Sequence, residues 1–188
     1  MTLPPGSSVV LPLRLVVVTF DGAPQDEPPA LLMDAVSFVA HLNAMYAGAP
    51  MRFDLRAVEH ATVPWDTWRA HVPVRTLLPP ATDPHALTLY VVPSLSNARG
   101  DTLNGMVLGP HSLIVSLNAS LRAAGPSTAG QPTVTEPVVR VSGHLVGSLL
   151  GLQLSRDPEN LMANGTTGTG LSRDQLWSLQ VPTDLVER

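Results

Sequence analysis

The sequence predicts an α+β domain: a twisted mixed sheet of four to five strands with an antiparallel strand at one edge, a long helix backing it and a second helix late in the chain. Three stretches carry that expectation. Residues 13–20, "LRLVVVTF", form a β-branched apolar run closed by Asp21-Gly22, the pattern of a strand buried on both faces. Residues 26–50, "DEPPALLMDAVSFVAHLNAMYAGAP", place Leu32, Ala35, Val36, Val39, Leu42 and Tyr46 at helical spacing, with Asp26 as the expected N-cap, prolines in the first turn and Gly48 as terminator. "MRFDLRAVEH" (51–60) then alternates Phe53, Leu55 and Ala57 against Arg52, Asp54 and Arg56, as a half-buried strand does. Strand, helix, strand in that order implies a parallel crossover.

The remaining elements follow in turn. Residues 64–84 carry five prolines and two tryptophans with no clean period, which reads as a long irregular connection with one helical turn. "ALTLYVVPSLS" (86–96) is a third strand, and "NARGDTLNG" (97–105) a polar turn region. "GMVLGPHSLIVSLN" (105–118) offers two short extended pieces broken at Gly109-Pro110, better suited to a sheet edge than to its centre. "AAGPSTAGQPT" (123–133) is a loop of small residues leading into an apolar helix from Val138. No internal repeat is present, and the length of 188 residues suits a single domain over 1–188.

Composition removes several function classes. There is no cysteine, so neither a disulfide framework nor a thiolate metal site is available. All eleven cations are arginine, a bias that resembles bacterial genome composition more than selection for a ligand. A net charge of -4 without a basic run argues against nucleic acid as partner. The apolar stretch "VVLPLRLVVVTF" is broken by Pro12 and Arg14 and is too short to span a bilayer, so neither a membrane partner nor a signal peptide is expected, and no compartment is assigned.

The chemistry-bearing stretch is "GHLVGSLLGLQLSRDPENLMANG" (143–165). Zinc peptidases place two histidines at i and i+4 on one helix so that both imidazoles face one metal, with a glutamate after the first to take a proton from metal-bound water. "HLVGSLLGLQL" (144–154) resembles the metzincin form of that motif, H-E-x-x-H-x-x-G-x-x-H, in its first histidine, in Gly147, in the turn glycine Gly151 and in "GL". Met162 in "NLM", eight residues past Leu154, resembles the methionine turn that floors such sites, and Ser172 with Gln175 forms a capping-box signature for a closing helix. The order of elements upstream is similar to that of metzincins, and "LNAMYAGAPMRFDLRAV" looks like the helix-to-strand junction of several bacterial members.

That resemblance implies a metzincin-like fold with His144, Ser148 and Leu154 at the three ligand positions, Leu145 at the general-base position and Met162 at the methionine turn. Only the first ligand position holds a histidine, so the expectation is a protein that is not an enzyme, a catalytically defective relative without zinc. An alternative is an active zinc peptidase with a metal site rebuilt from Asp157, Glu159 or His111; another is an unrelated α+β domain. The resemblance also implies an extended peptide or protein partner paired with the edge strand at Gly105, Met106, Val107, Leu108 and Gly109, with Pro110 interrupting the pairing.

Overall fold

The first strand, β1 (Val9–Asp21), is longer than its apolar core because its early residues pair on one side only. It runs parallel to β2 (Met51–Pro64) from Val9 onward, and parallel to β3 (Leu87–Val92) only from Leu13. Pro12, which has no N–H to give a ladder, therefore sits where β1 has a single neighbour. The computed structural model describes residues 8–23, 34–69, 73–81, 83–118 and 137–186. Two further strands, β4 (Gly105–Gly109) and β5 (Ser112–Ser116), complete a five-stranded sheet of order β2-β1-β3-β5-β4, parallel except for the antiparallel edge strand β4. The mixed α+β architecture expected from the sequence is thus present. One reading of residues 105–118 is corrected: only β4 is an edge, whereas β5 lies between β3 and β4 and has Leu113, Ile114 and Val115 fully buried.

Side-chain alternation divides the core between the two faces of this sheet. Leu11, Leu13, Leu15 and Val17 of β1 face one layer with Leu89, Val91, Leu113 and Val115. Against them pack α1 (Ala35–Met45), through Phe38, Val39 and Leu42, and α4 (Pro137–Leu149), through Val138, Val139, Val141 and Val146. Helix α1 begins at Asp34 rather than Asp26, because Asp34 Oδ1 accepts the Ser37 N–H at 2.8 Å; residues 26–33, Leu32 among them, lie outside the described residues. Asn43 of α1 pins the helix to β2, accepting from Phe53 N at 2.7 Å and donating to Phe53 O at 3.0 Å.

The opposite face carries Val16, Val18, Tyr90, Val92 and Ile114. The proline-rich connection covers it as two short helices, α2 (Trp65–Arg69) and α3 (Val74–Leu77), in place of the irregular segment with one helical turn that its composition suggests. Trp65 and Trp68 stack on Phe20 at 5.1 and 4.8 Å between ring centroids, which anchors α2 at the carboxyl end of β1. Beyond α4 the chain forms a loop whose residues 160–163 are buried, a last helix α5 (Arg173–Ser178) with the expected Ser172–Gln175 capping box, and a 3-10 turn, Thr183–Leu185. The loop expected at 123–133 lies outside the described residues, among which no helix is long and apolar enough to cross a membrane.

Candidate functional site

Pro137 opens α4, where the missing N–H costs no helical bond, and Gly151 ends it in the left-handed region at φ +87°. Leu152 N returns to Gly147 O at 2.9 Å, so the chain reverses at the turn glycine of the motif. Leu152 then buries, while Leu154, at the third ligand position, is 64% exposed. The chain comes back under the helix through residues 155–163, tied by Ser155 N to Met162 O at 3.1 Å and by Asn160 Oδ1 accepting from Met162 N at 2.9 Å. Met162 is fully buried directly below Gly147, where a Cβ would meet its sulfur at 2.6 Å.

His144 is half-buried and its Nδ1 lies 3.0 Å from Leu161 O. A carbonyl only accepts, so Nδ1 carries the proton and Nε2 keeps its lone pair. Burial lowers the imidazole pKa below its ordinary value, against the raising effect of the Leu161 carbonyl; the nearby Arg140 charge lowers it further. The ring is therefore neutral at pH 7. Ser148 is exposed and its hydroxyl donates to the His144 carbonyl at 3.1 Å, one turn back on the same helix, rather than to the imidazole. Leu145 turns toward the sheet edge: a Cβ on Gly105 of β4 would meet Leu145 Cδ1 at 2.8 Å and Ile114 O at 2.6 Å. The edge strand and the helix thus touch at a glycine–leucine contact that tolerates no larger residue at 105.

The floor of the site rests on residues to which the motif gives no role. Arg140, four residues before His144 on the same helix face, is 3% exposed and has no carboxylate partner among the described residues. Its guanidinium instead donates to the carbonyls of Gly168 at 3.1 Å and Ala163 at 2.7 Å, and to the Thr166 hydroxyl at 3.2 Å, which holds the loop below α4. Burial lowers its pKa. Asn160 and Gln175 exchange two amide hydrogen bonds, 2.7 and 3.2 Å, so the cap of α5 is joined to the loop that carries Met162. Tyr46, the C-cap of α1, closes the other side, donating to Gly143 O at 2.7 Å. A lone arginine inside an apolar helical run is the signal that points to Arg140; nothing in the local pattern marks Asn160 or Tyr46.

The remaining candidates are dispersed. Asp157 is exposed and its carboxylate accepts Glu159 N at 3.0 Å, a turn within its own loop. His111 lies on the β4–β5 turn and pairs with Asp184 at 3.0 Å, while His85 Nδ1 lies 2.8 Å from Asp184 O. His60 is exposed, and His71 lies outside the described residues. The donor set does not fit a zinc ion: His144 has no second ligand one turn away, and Leu145 and Leu154 carry no donor atom. Among the described residues no group of three or more His, Cys, Asp or Glu is placed to hold a metal, which removes the rebuilt site from Asp157, Glu159 and His111 within them. No hydrolytic step through a metal follows from this arrangement.

No protein-family profile matches the chain, and no curated protein does. Solved structures do match. Archaemetzincin from Methanopyrus kandleri superposes with a TM-score of 0.53 at 18% identity, over 93% of this chain and 94% of its own. Promirolysin from Tannerella forsythia, as the E225A mutant, gives 0.52 at 11% identity, over 94% and 80%. A zinc-dependent peptidase from Methanocorpusculum labreanum aligns over 89% and 93% at 16% identity with a TM-score of 0.43, too low to add weight. The chain has a metzincin-like fold, and an unrelated α+β domain is set aside. Two expectations are corrected by the same finding. The expectation of a non-enzyme without zinc rests on three positions, 145 and 148 of α4 and 154 beyond it. Its fold as a whole is that of a protein bearing the metzincin name. Positions 145 and 148 of α4 and 154 beyond it lack the motif's donor atoms, but the fold of the whole chain is that of its zinc peptidase neighbour, so neither expectation is retained.

Proposed function

We propose that this is a metzincin-fold domain that holds an extended peptide along the outer side of β4. The observation that carries the reading is the edge itself. β4 has β5 on one side and no strand on the other among the described residues, and it exposes Met106 (39%) and Val107 (40%) to solvent. An edge strand ordinarily protects itself with charge, proline or a bulge. Here the register shift falls between Val107 and Gly109, and Pro110 lies in the turn beyond β4, so the proline does not interrupt the strand as its sequence position suggests. The main-chain groups of β4 that face away from β5 have no strand partner among the described residues and lie beside the apolar Met106 and Val107, the combination that adds a strand from a partner. Leu154, beyond α4, is exposed rather than filling the site.

In this reading residues 143–154 are the counterpart of the metzincin site helix, with His144, Leu145, Ser148 and Leu154 at the ligand and base positions and Met162 as the methionine turn. The support is geometric: a glycine-terminated helix, a reversed chain and a methionine sulfur packed under Gly147. Amide exchange of residues 105–109, measured with and without a library of extended apolar peptides, tests the proposal. Slowed exchange confined to 105–109 is expected. Unchanged exchange across the library overturns it. Mass analysis of the same mixtures with zinc supplied reads whether any bound peptide is cut.

A further inference from the structure

We propose that the pocket between α3, β3 and the β4–β5 turn is a binding site for a small monocarboxylate with an apolar body. It lies on the sheet face opposite α4, and its volume is about 240 Å³. Leu78, Tyr90 and Leu108 give it apolar walls. One corner is polar. At Gly109, the point where a Cβ would stand is 3.3 Å from Ser112 Oγ and 3.6 Å from Arg75 Nη2, so a hydroxyl and a guanidinium converge where the glycine leaves space. Arg75 makes no ion pair or hydrogen bond with the described residues, and no carboxylate lines the pocket. A guanidinium without a partner among the described residues, beside a hydroxyl and in a pocket lined by no carboxylate, matches a carboxylate, to which arginine donates two parallel bonds.

A second observation marks the same part of the sheet. Thr88 Oγ1 is the one buried side-chain polar atom without a hydrogen-bond partner among the described residues. Thr88 is paired in register with Arg14 of β1 on one side and Ser112 of β5 on the other, and Tyr90 follows two residues later on the same face. Arg14 is occupied by Glu59 and by Pro80 O, so it does not satisfy Thr88. The row Arg14–Thr88–Ser112 thus ends in a pocket-lining hydroxyl, while Thr88 itself is fully buried and does not line the pocket.

Benzoate is the probe for a free acid, N-acetyl-leucine for a peptide's terminal carboxylate and benzamide for the same shape without charge. Each is titrated into the full chain and followed by amide chemical shifts. Saturable shifts at residues 75, 90 and 108–112 are expected with the acids, and about tenfold weaker binding with benzamide. The tighter of the two acids assigns the source of the carboxylate. Arg75→Gln, at an exposed position, weakens both acids by about tenfold without lowering Tm, and Gly109→Ala, which puts a methyl in the polar corner, weakens them as well. The absence of saturable shifts up to about 20 mM, equal affinity for benzamide, or full binding by Arg75→Gln each overturns the proposal.

Discussion

Gly147 rests on Met162 so closely that a β-carbon at 147 would stand 2.6 Å from the methionine sulfur, with Tyr46 Oη at 3.1 Å and Leu152 Cδ1 at 3.3 Å. Helix propensity alone favours alanine at an interior position by about 1 kcal/mol. Packing opposes it, because Met162 is fully buried and has no room to withdraw. Gly147→Ala is therefore expected to lower stability by about 1–3 kcal/mol, as overpacking does. Denaturant unfolding measures it; a variant as stable as the parent or more so refutes the contact.

Arg140 holds three polar acceptors of the 163–168 loop. Arg140→Met keeps most of the volume but removes the donor from Gly168 O and leaves Ala163 O only the Thr166 hydroxyl at 3.4 Å, and an unbonded buried acceptor costs about 1–3 kcal/mol. The expected result is a loss of at least about 2 kcal/mol together with faster proteolysis within 155–170. Loss of stability without increased cleavage there would mean that the arginine acts on the helix and not on the loop.

His144 gives a pH dependence whose sign is set by burial. Its folded pKa lies below the ordinary 6.5, so the unfolded chain binds more protons in the window beneath that value. The stability associated with the neutral ring is fully present above about 6.5 and is lost as pH falls toward the depressed folded value. Between pH 7 and pH 5 the parent should lose more stability than His144→Asn, whose amide nitrogen corresponds in position to the Nδ1 that donates to Leu161 O. Parallel pH profiles for the two proteins would contradict the buried neutral imidazole.

Tyr46 donates to Gly143 O from a fully buried position, and burial raises the pKa of its hydroxyl. Tyr46→Phe removes that bond while keeping the ring against Phe53 at 5.5 Å. A cost of about 1 kcal/mol in thermal or denaturant unfolding is expected. No measurable change would show that the hydroxyl is not engaged.

Leu145→Glu, Ser148→His and Leu154→His together place a full motif on the scaffold. If residues 143–154 are the counterpart of the metzincin helix, the folded triple variant takes up about one zinc per chain, read by elemental analysis beside the parent. A folded variant with no more metal than the parent shows that 154 does not return to the helix as the counterpart requires.

Periodicity and punctuation determined much of this protein. The β-branched run of β1, the alternation of β2, the capping box at Ser172 and the glycine at 151 are local rules, satisfied by the chain's own neighbours. So their elements were legible without the fold. The spacing from His144 to Met162 likewise carried the metzincin likeness that the superposition with archaemetzincin supports at the level of fold. What only tertiary structure decided depends on which residues meet across long sequence separation. Proline content described residues 64–84 as irregular, and the apolar back of the sheet folded parts of them into α2 and α3. Gly109-Pro110 read as a break in an edge, and pairing with β3 drew β5 into the sheet interior while leaving β4 free. Arg140 looked like an interruption of an apolar helix until carbonyls 20 to 28 residues later were brought around it. Hydrogen-bond partners of that kind have no local signature, because a carbonyl belongs to every residue and only the closed chain selects which ones turn inward.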